Sequence, residues 1–317
     1  MSTTTTSSAG RPGARSIDTG TGAGAGTGLG VGTSTTTTST GSDPAAQCSG
    51  STPPVAAPSG SWQCTFDDEF NGDALDTSKW QPQLSSTSGY TTGAAPDLVC
   101  YVDNPDTISE SGGTLNLSVV QTPTPQACGQ GQTQFEGGMV SSYQIFTQRY
   151  GFFEARAKLP ASTLLGLQET LWLYPENQTL FGPFPDSGEI DYGEFYSEFP
   201  TTDVPVVHFP GSQDDPNATN DYCSIAGAET AGQFNTYALL WTPTTITAYF
   251  NGMPCITDTY APYVQSPDAA PGPFNQPFFM AFTSALGYGS DSPVGQDMSQ
   301  ELPATTSVDW MRVWQYG

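Results

Sequence analysis

The sequence predicts an all-β protein built as an antiparallel sandwich. Three observations carry that expectation. Short β-prone runs alternate apolar and polar residues with period two. Gly, Pro, Asn and Asp separate those runs at short intervals. The Ala/Leu/Glu/Lys periodicity of amphipathic helices is missing. Taken in order, Gly113-Thr-Leu-Asn-Leu-Ser-Val-Val120 alternates cleanly, as does Gly151-Phe-Phe-Glu-Ala-Arg-Ala-Lys-Leu159. Thr245-Ile-Thr-Ala-Tyr-Phe250 runs into an Asn251-Gly252 turn, a pair that tolerates the positive φ of a tight hairpin. Phe278–Thr283 and Thr306–Tyr316 complete the set. Two sheets of this size can curve, so that one face forms a long groove open at both ends.

Composition divides the chain unevenly. Residues 1–60 are nearly all Thr, Ser, Gly, Ala and Pro, with little to bury, and are expected to form a disordered tail or linker. Residues 61–317 carry regular aromatic and aliphatic positions, enough for one β domain. The net charge is −24, and Arg11, Arg15, Asp18 and Asp43 cancel within the tail, so the charge sits on the domain. Nucleic acid, anionic membranes and polyanionic glycans are poor partners for such a surface. A neutral, extended polymer fits it, bound by a monomer.

Six cysteines are present, at positions 48, 64, 100, 128, 223 and 255, without a Cys-x-x-Cys pair, and His208 is the single histidine. That pattern favours disulfides in an oxidising compartment over zinc or redox chemistry. The expected pairs include Cys100–Cys128 and Cys223–Cys255. The protein is expected to be extracellular or cell-wall associated. Met1 is followed by polar residues rather than the apolar core of a signal peptide, so the expectation is a true start upstream. No stretch is apolar and long enough to span a membrane as a helix.

The most informative segment is Ser187-Gly-Glu-Ile-Asp-Tyr-Gly-Glu-Phe195. On a regular strand Glu189 and Asp191 share a face and Glu194 falls on the other. One extra residue near Tyr192-Gly193, a β-bulge, aims all three at one surface. Like charges on one strand repel, so a structural strand gains nothing from them. A reaction that needs one protonated and one ionised carboxyl does, because crowding separates their pKa values. Spacing alone also allows a solvated acidic edge.

At these residues the chain resembles glycoside hydrolase family 16, the laminarinase and β-glucanase clan. Phe66-Asp-Asp-Glu-Phe-Asn-Gly72 is similar to the family's opening segment, and Tyr150-Gly-Phe-Phe-Glu-Ala-Arg-Ala-Lys-Leu-Pro160 to its central strands. Glu189, Asp191 and Glu194 match its E-x-D-x-x-E signature, and Val308-Asp-Trp-Met-Arg-Val-Trp-Gln315 its last strand. The resemblance implies a β-sandwich of jelly-roll, concanavalin A-like lectin/glucanase type. It also implies an endo-acting, retaining glycosidase on β-1,3 or mixed β-1,3/1,4 glucan, with no required cofactor. Glu189 would be the nucleophile, Glu194 the acid/base, and Asp191 would tune their protonation. A transglycosylase on the same fold, or a non-catalytic glucan-binding protein, are the competing readings.

Trp172, Phe184, Tyr192, Tyr196 and His208 are the candidates to line the groove, against core packing as the ordinary fate of large rings. Phe184 stands where relatives commonly carry Trp. Gln168-Glu169 replaces a Trp-Pro pair, which is expected to change one wall of the groove. Asp309 matches a position that holds a structural calcium in some members. Sequons occur at Asn116, Asn177 and Asn217.

Overall fold

The computed structural model describes residues 46–92, 99–129, 131–162, 164–209, 223, 231–260, 272–287 and 297–317. Strands β1 (Trp62–Asp68), β2 (Gln81–Pro82), β3 (Thr91–Thr92), β4 (Val99–Tyr101), β5 (Ile108–Ser111) and β6 (Thr114–Cys128) come first. There follow β7 (Gly131–Gly137), β8 (Met139–Ser141), β9 (Gly151–Lys158), β10 (Leu167–Pro175), β11 (Glu189–Tyr196) and β12 (Val206–His208). The series closes with β13 (Phe234–Trp241), β14 (Ile246–Phe250), β15 (Met253–Asp258), β16 (Phe278–Leu286) and β17 (Ala304–Tyr316). Each run read as a strand from its alternation lies within or across one of these.

Two sheets result. The larger runs β15-β14-β13-β9-β17-β6-β7-β4-β3, with β1 and β5 attached at β17 and β6. The smaller runs β12-β11-β10-β16-β8-β2. Pairing is antiparallel except between β4 and β7. The sheets bury a common core because each strand turns one alternate set of side chains inward. Phe153, Tyr237 and Met311 from the larger sheet meet Leu171, Tyr192 and Phe282 from the smaller. The cross-strand registers Thr170↔Thr283 and Trp172↔Ala281 place the alternate residues of β10 and β16 together on the opposite face of the smaller sheet.

Cys48–Cys64, Cys100–Cys128 and Cys223–Cys255 are bonded, the last two as expected. The first corrects the boundary at residue 60. Cys48 is fully buried against Phe152 and Trp314. Its main-chain N–H donates to Asp67 at 2.7 Å, and the Trp62 indole donates to the Val55 carbonyl at 2.8 Å. Residues 46–60 therefore pack onto the domain. Averaged composition hides this, since a single cysteine and a few carbonyls anchor an otherwise polar stretch. Residues 1–45 and the Asn217 sequon lie outside the described residues.

Candidate active site

The strand pair β10–β11 builds the site. Its register runs Thr170↔Glu194 and Leu171↔Gly193, then jumps to Trp172↔Asp191. Tyr192 is the extra residue, so the bulge falls where the sequence placed it. A Cβ on Gly193 would approach Leu171 and Tyr237 side-chain carbons to 3.1 Å, which explains a glycine beside the bulge. The consequence is a clean sorting. Ile190, Tyr192 and Phe195 enter the core, while Glu189, Asp191 and Glu194 share the outer face. All three acids are nonetheless buried, at 1%, 1% and 4% exposure.

His208 lies directly across from Glu189 on β12. Its Nε2 is 3.1 Å from Asp191 Oδ2 and 4.0 Å from Glu189 Oε1. The Phe184 ring packs on the imidazole, 5.4 Å between centroids. Trp172 faces the same side, and its indole N–H donates to Thr283 Oγ1 at 2.9 Å. A recess beside these residues is lined by Tyr90, Thr92, Gln168, Trp172, Glu189 and Thr283. Aromatic walls with hydroxyl and amide groups suit the C–H faces and hydroxyls of a sugar.

Electrostatics separate the acids from ordinary carboxylates. Burial first, then the charges of Asp191 and Glu194, hold the Glu189 carboxyl well above the usual range. Burial also leads at Glu194, with Asp191 next, and hydrogen bonds from Tyr196 and Gln168 pull the other way. The rise expected at Glu194 from crowding is thus present, with desolvation as its larger cause. Acids this close do not all ionise together, so the cluster retains a proton for transfer.

Several expectations need correction. Tyr192 does not line the groove: it is fully buried, and its hydroxyl lies 3.6 Å from Met311 Sδ in the opposite sheet. The bulge that turns Glu194 outward is the same feature that turns Tyr192 inward. Glu169 is not part of the groove wall. It faces the interior, where Thr306 Oγ1 donates to its carboxylate at 2.7 Å. Gln168 does face outward, and reaches Glu194 Oε1 at 3.0 Å. Asp309 is engaged by the Arg156 guanidinium, so a cation already occupies its carboxylate. No group of three or more His, Cys, Asp or Glu among the described residues includes it; the one such group is Glu189, Asp191 and His208. Those three are the acid–base cluster itself.

Tyr196, named as a groove candidate, bonds the acid itself, and Asp203 was not foreseen at all. Tyr196 Oη donates to Glu194 Oε1 at 2.7 Å. Asp203, fully buried just after β11, lies beside the main-chain N–H groups of Glu194 and Val204. Period-two spacing from Glu194 accounts for the first on the outer face; the second depends on a loop closing back on the strand.

The whole domain is also similar to known proteins. The family model described as β-porphyranase A–D, GH16 domain, matches residues 62–316. Glucan endo-1,3-β-glucosidase A1 of Niallia circulans is 27% identical over 281 residues, covering 83% of this chain and 39% of that protein. The keratan-sulfate endo-1,4-β-galactosidase of Sphingobacterium multivorum is 27% identical over 265 residues, covering 80% and 55%. The chain thus spans about half or less of the length of these curated relatives. Among solved structures, the non-specific endo-β-1,3(4)-glucanase SCLam superposes with a TM-score of 0.66 at 25% identity, over 83% of this chain and 94% of that one. The laminarinase from Rhodothermus marinus shares the fold with a TM-score of 0.65.

Proposed function

The chain belongs to glycoside hydrolase family 16, and from that premise we propose that it is a retaining, endo-acting glycosidase on a neutral β-glucan with β-1,3 or mixed β-1,3/1,4 linkages. The observation that carries the chemistry is the bulge that gathers Glu189, Asp191 and Glu194 on one face of β11. In the first step the ionised Glu189 carboxylate attacks the anomeric carbon, and Glu194 gives its proton to the departing glycosidic oxygen. In the second, Glu194 takes a proton from water, whose oxygen attacks the same carbon and releases Glu189. Such a mechanism needs the two carboxyls about 5–5.5 Å apart, a spacing that flexible glutamates flanking a bulge can reach. Asp191 lies between the two glutamates on the same face, with His208 Nε2 3.1 Å from its Oδ2.

A cation inventory supports a neutral substrate. Beyond residue 45 the sequence has only Lys79, Arg149, Arg156, Lys158 and Arg312. Lys79 pairs with Asp68, Arg156 with Asp309 and Arg312 with Glu69. Arg149 bonds Asn275, and Lys158 lies over the Phe234 ring. None lines the recess, and a sulfated polymer would meet the acid cluster without a counter-charge. The family model and the keratan-sulfate relative favour a galactan as the second reading. The disulfides support an oxidising, extracellular setting.

The test incubates the full chain, beside Glu189→Ala, with laminarin, lichenan, porphyran and keratan sulfate, reading products by mass spectrometry. We expect glucan oligosaccharides from the first two, absent with the variant. Release from porphyran or keratan sulfate instead would overturn the neutral-glucan reading. Products longer than the donor would show transfer to sugar rather than to water.

A further inference from the structure

Gln168 sits directly across from Tyr196 in the β10–β11 register, on the face that carries the acids. The two side chains converge on a single atom. Tyr196 Oη donates to Glu194 Oε1 at 2.7 Å, and Gln168 Nε2 donates to the same oxygen at 3.0 Å. They also touch each other, Nε2 to Oη, at 3.3 Å. The amide nitrogen must face the carboxylate, because the reverse orientation would set oxygen against oxygen.

Gln168 has no structural reason to be there. It is 3% exposed, and its bonds among the described residues are those to Glu194 and Tyr196. Its own Oε1 is buried without a partner. Burying a primary amide with one end unsatisfied costs stability.

We propose that Gln168 and Tyr196 are positioning residues for the acid/base: they clamp Glu194 Oε1, so that Oε2 is the oxygen that passes the proton to the glycosidic oxygen and takes it back from water. This rests on Glu194 being the acid/base. The clamp does two things. It fixes the carboxyl plane relative to the bond being cleaved, and fixed geometry of this kind contributes strongly to rate. It also stabilises the ionised form, opposing burial and the neighbouring charges. The groups that face Glu194 are Asp191 and Tyr196 on its own strand and Asp203 from the following segment, with Glu189 and His208 reached through Asp191. Strand β10 turns no titratable side chain toward it; Gln168 and Thr170 are the facing residues.

The experiment measures kcat/KM against pH for the wild type, Gln168→Leu, Tyr196→Phe, the double variant and Glu194→Ala. Each is assayed on the polymer cleaved and on an aryl glycoside whose leaving group needs no acid. With the clamp gone, kcat/KM on the polymer should fall by about 10- to 100-fold. The alkaline limb should rise by about one pH unit per donor removed. The aryl glycoside should lose less than the polymer, so the ratio of the two kcat/KM values shifts toward the aryl glycoside. If Glu194→Ala separates the two substrates while the single and double variants leave the limb unmoved, the clamp is overturned and the acid/base assignment stands. If Glu194→Ala lowers both substrates alike, the underlying assignment fails. Melting curves accompany each variant, and the single variants carry the test should the double one not fold.

Discussion

Two pairs of acids on and beside the β10–β11 strand pair make an instructive contrast. Glu189 and Glu194 face outward; Glu169 and Asp203 are enclosed. Burial raises the carboxyl pKa at all four and is the leading cause each time. What differs is the company they keep. Glu169 accepts from Thr306, and Asp203 lies beside main-chain N–H groups. Glu189 and Glu194 instead face Asp191 and, through it, His208. A perturbed carboxyl is therefore not by itself a catalytic one. Coupling to Asp191 on a face beside a recess marks the outer pair; at the enclosed pair no neighbouring carboxylate contributes to the shift.

The contrast is broken most directly at Glu169. Glu169→Gln should leave activity near wild type, against the loss expected at Glu189. Its effect belongs to stability. The folded-state pKa of Glu169 lies well above its ordinary 4.5, so the protonated form is the one the fold prefers. Below about pH 4.5 both folded and unfolded states are protonated, and its contribution is fully present. As pH rises above that, the unfolded state ionises first, and stability is lost until the folded pKa is passed. A glutamine cannot ionise, so the melting temperature of Glu169→Gln relative to wild type should climb between pH 5 and pH 8. Thermal melts across that range check it; a flat difference, or a drop in activity, would erase the distinction between the faces.

The smallest effect is expected at Tyr192→Phe. Removing a hydroxyl whose hydrogen-bond partner among the described residues is Met311 Sδ should cost less than about 1 kcal/mol and leave KM unchanged. A rise in KM would put the ring back in the groove.

Much of this was legible in the sequence because strand alternation is a local rule. It placed Glu189 and Asp191 together, and one glycine pointed to the bulge that recruits Glu194. The same rule, carried two residues further, puts Tyr196 on the outer face. Tyr192 went wrong for a physical reason: in a bulge two consecutive residues, here Tyr192 and Gly193, point to one side, and alternation cannot say which. Gln168 and Glu169 were read as one altered wall, although neighbours on a strand always face opposite ways. Asp203 and the packing of residues 46–60 depend on distant segments meeting, Cys48 with Cys64 and Asp203 with the Cys223 main chain at 3.1 and 2.6 Å. Periodicity contains no such information.

The central claim is that one carboxylate attacks the sugar while the other shuttles a proton. Proton NMR of the first-formed reducing end, followed from the start of hydrolysis and before mutarotation, tests it. We expect the β anomer to appear first, since two displacements at one carbon restore the starting configuration. An α anomer appearing first would mean a single displacement by water, and Glu189 would then be a base and not the nucleophile.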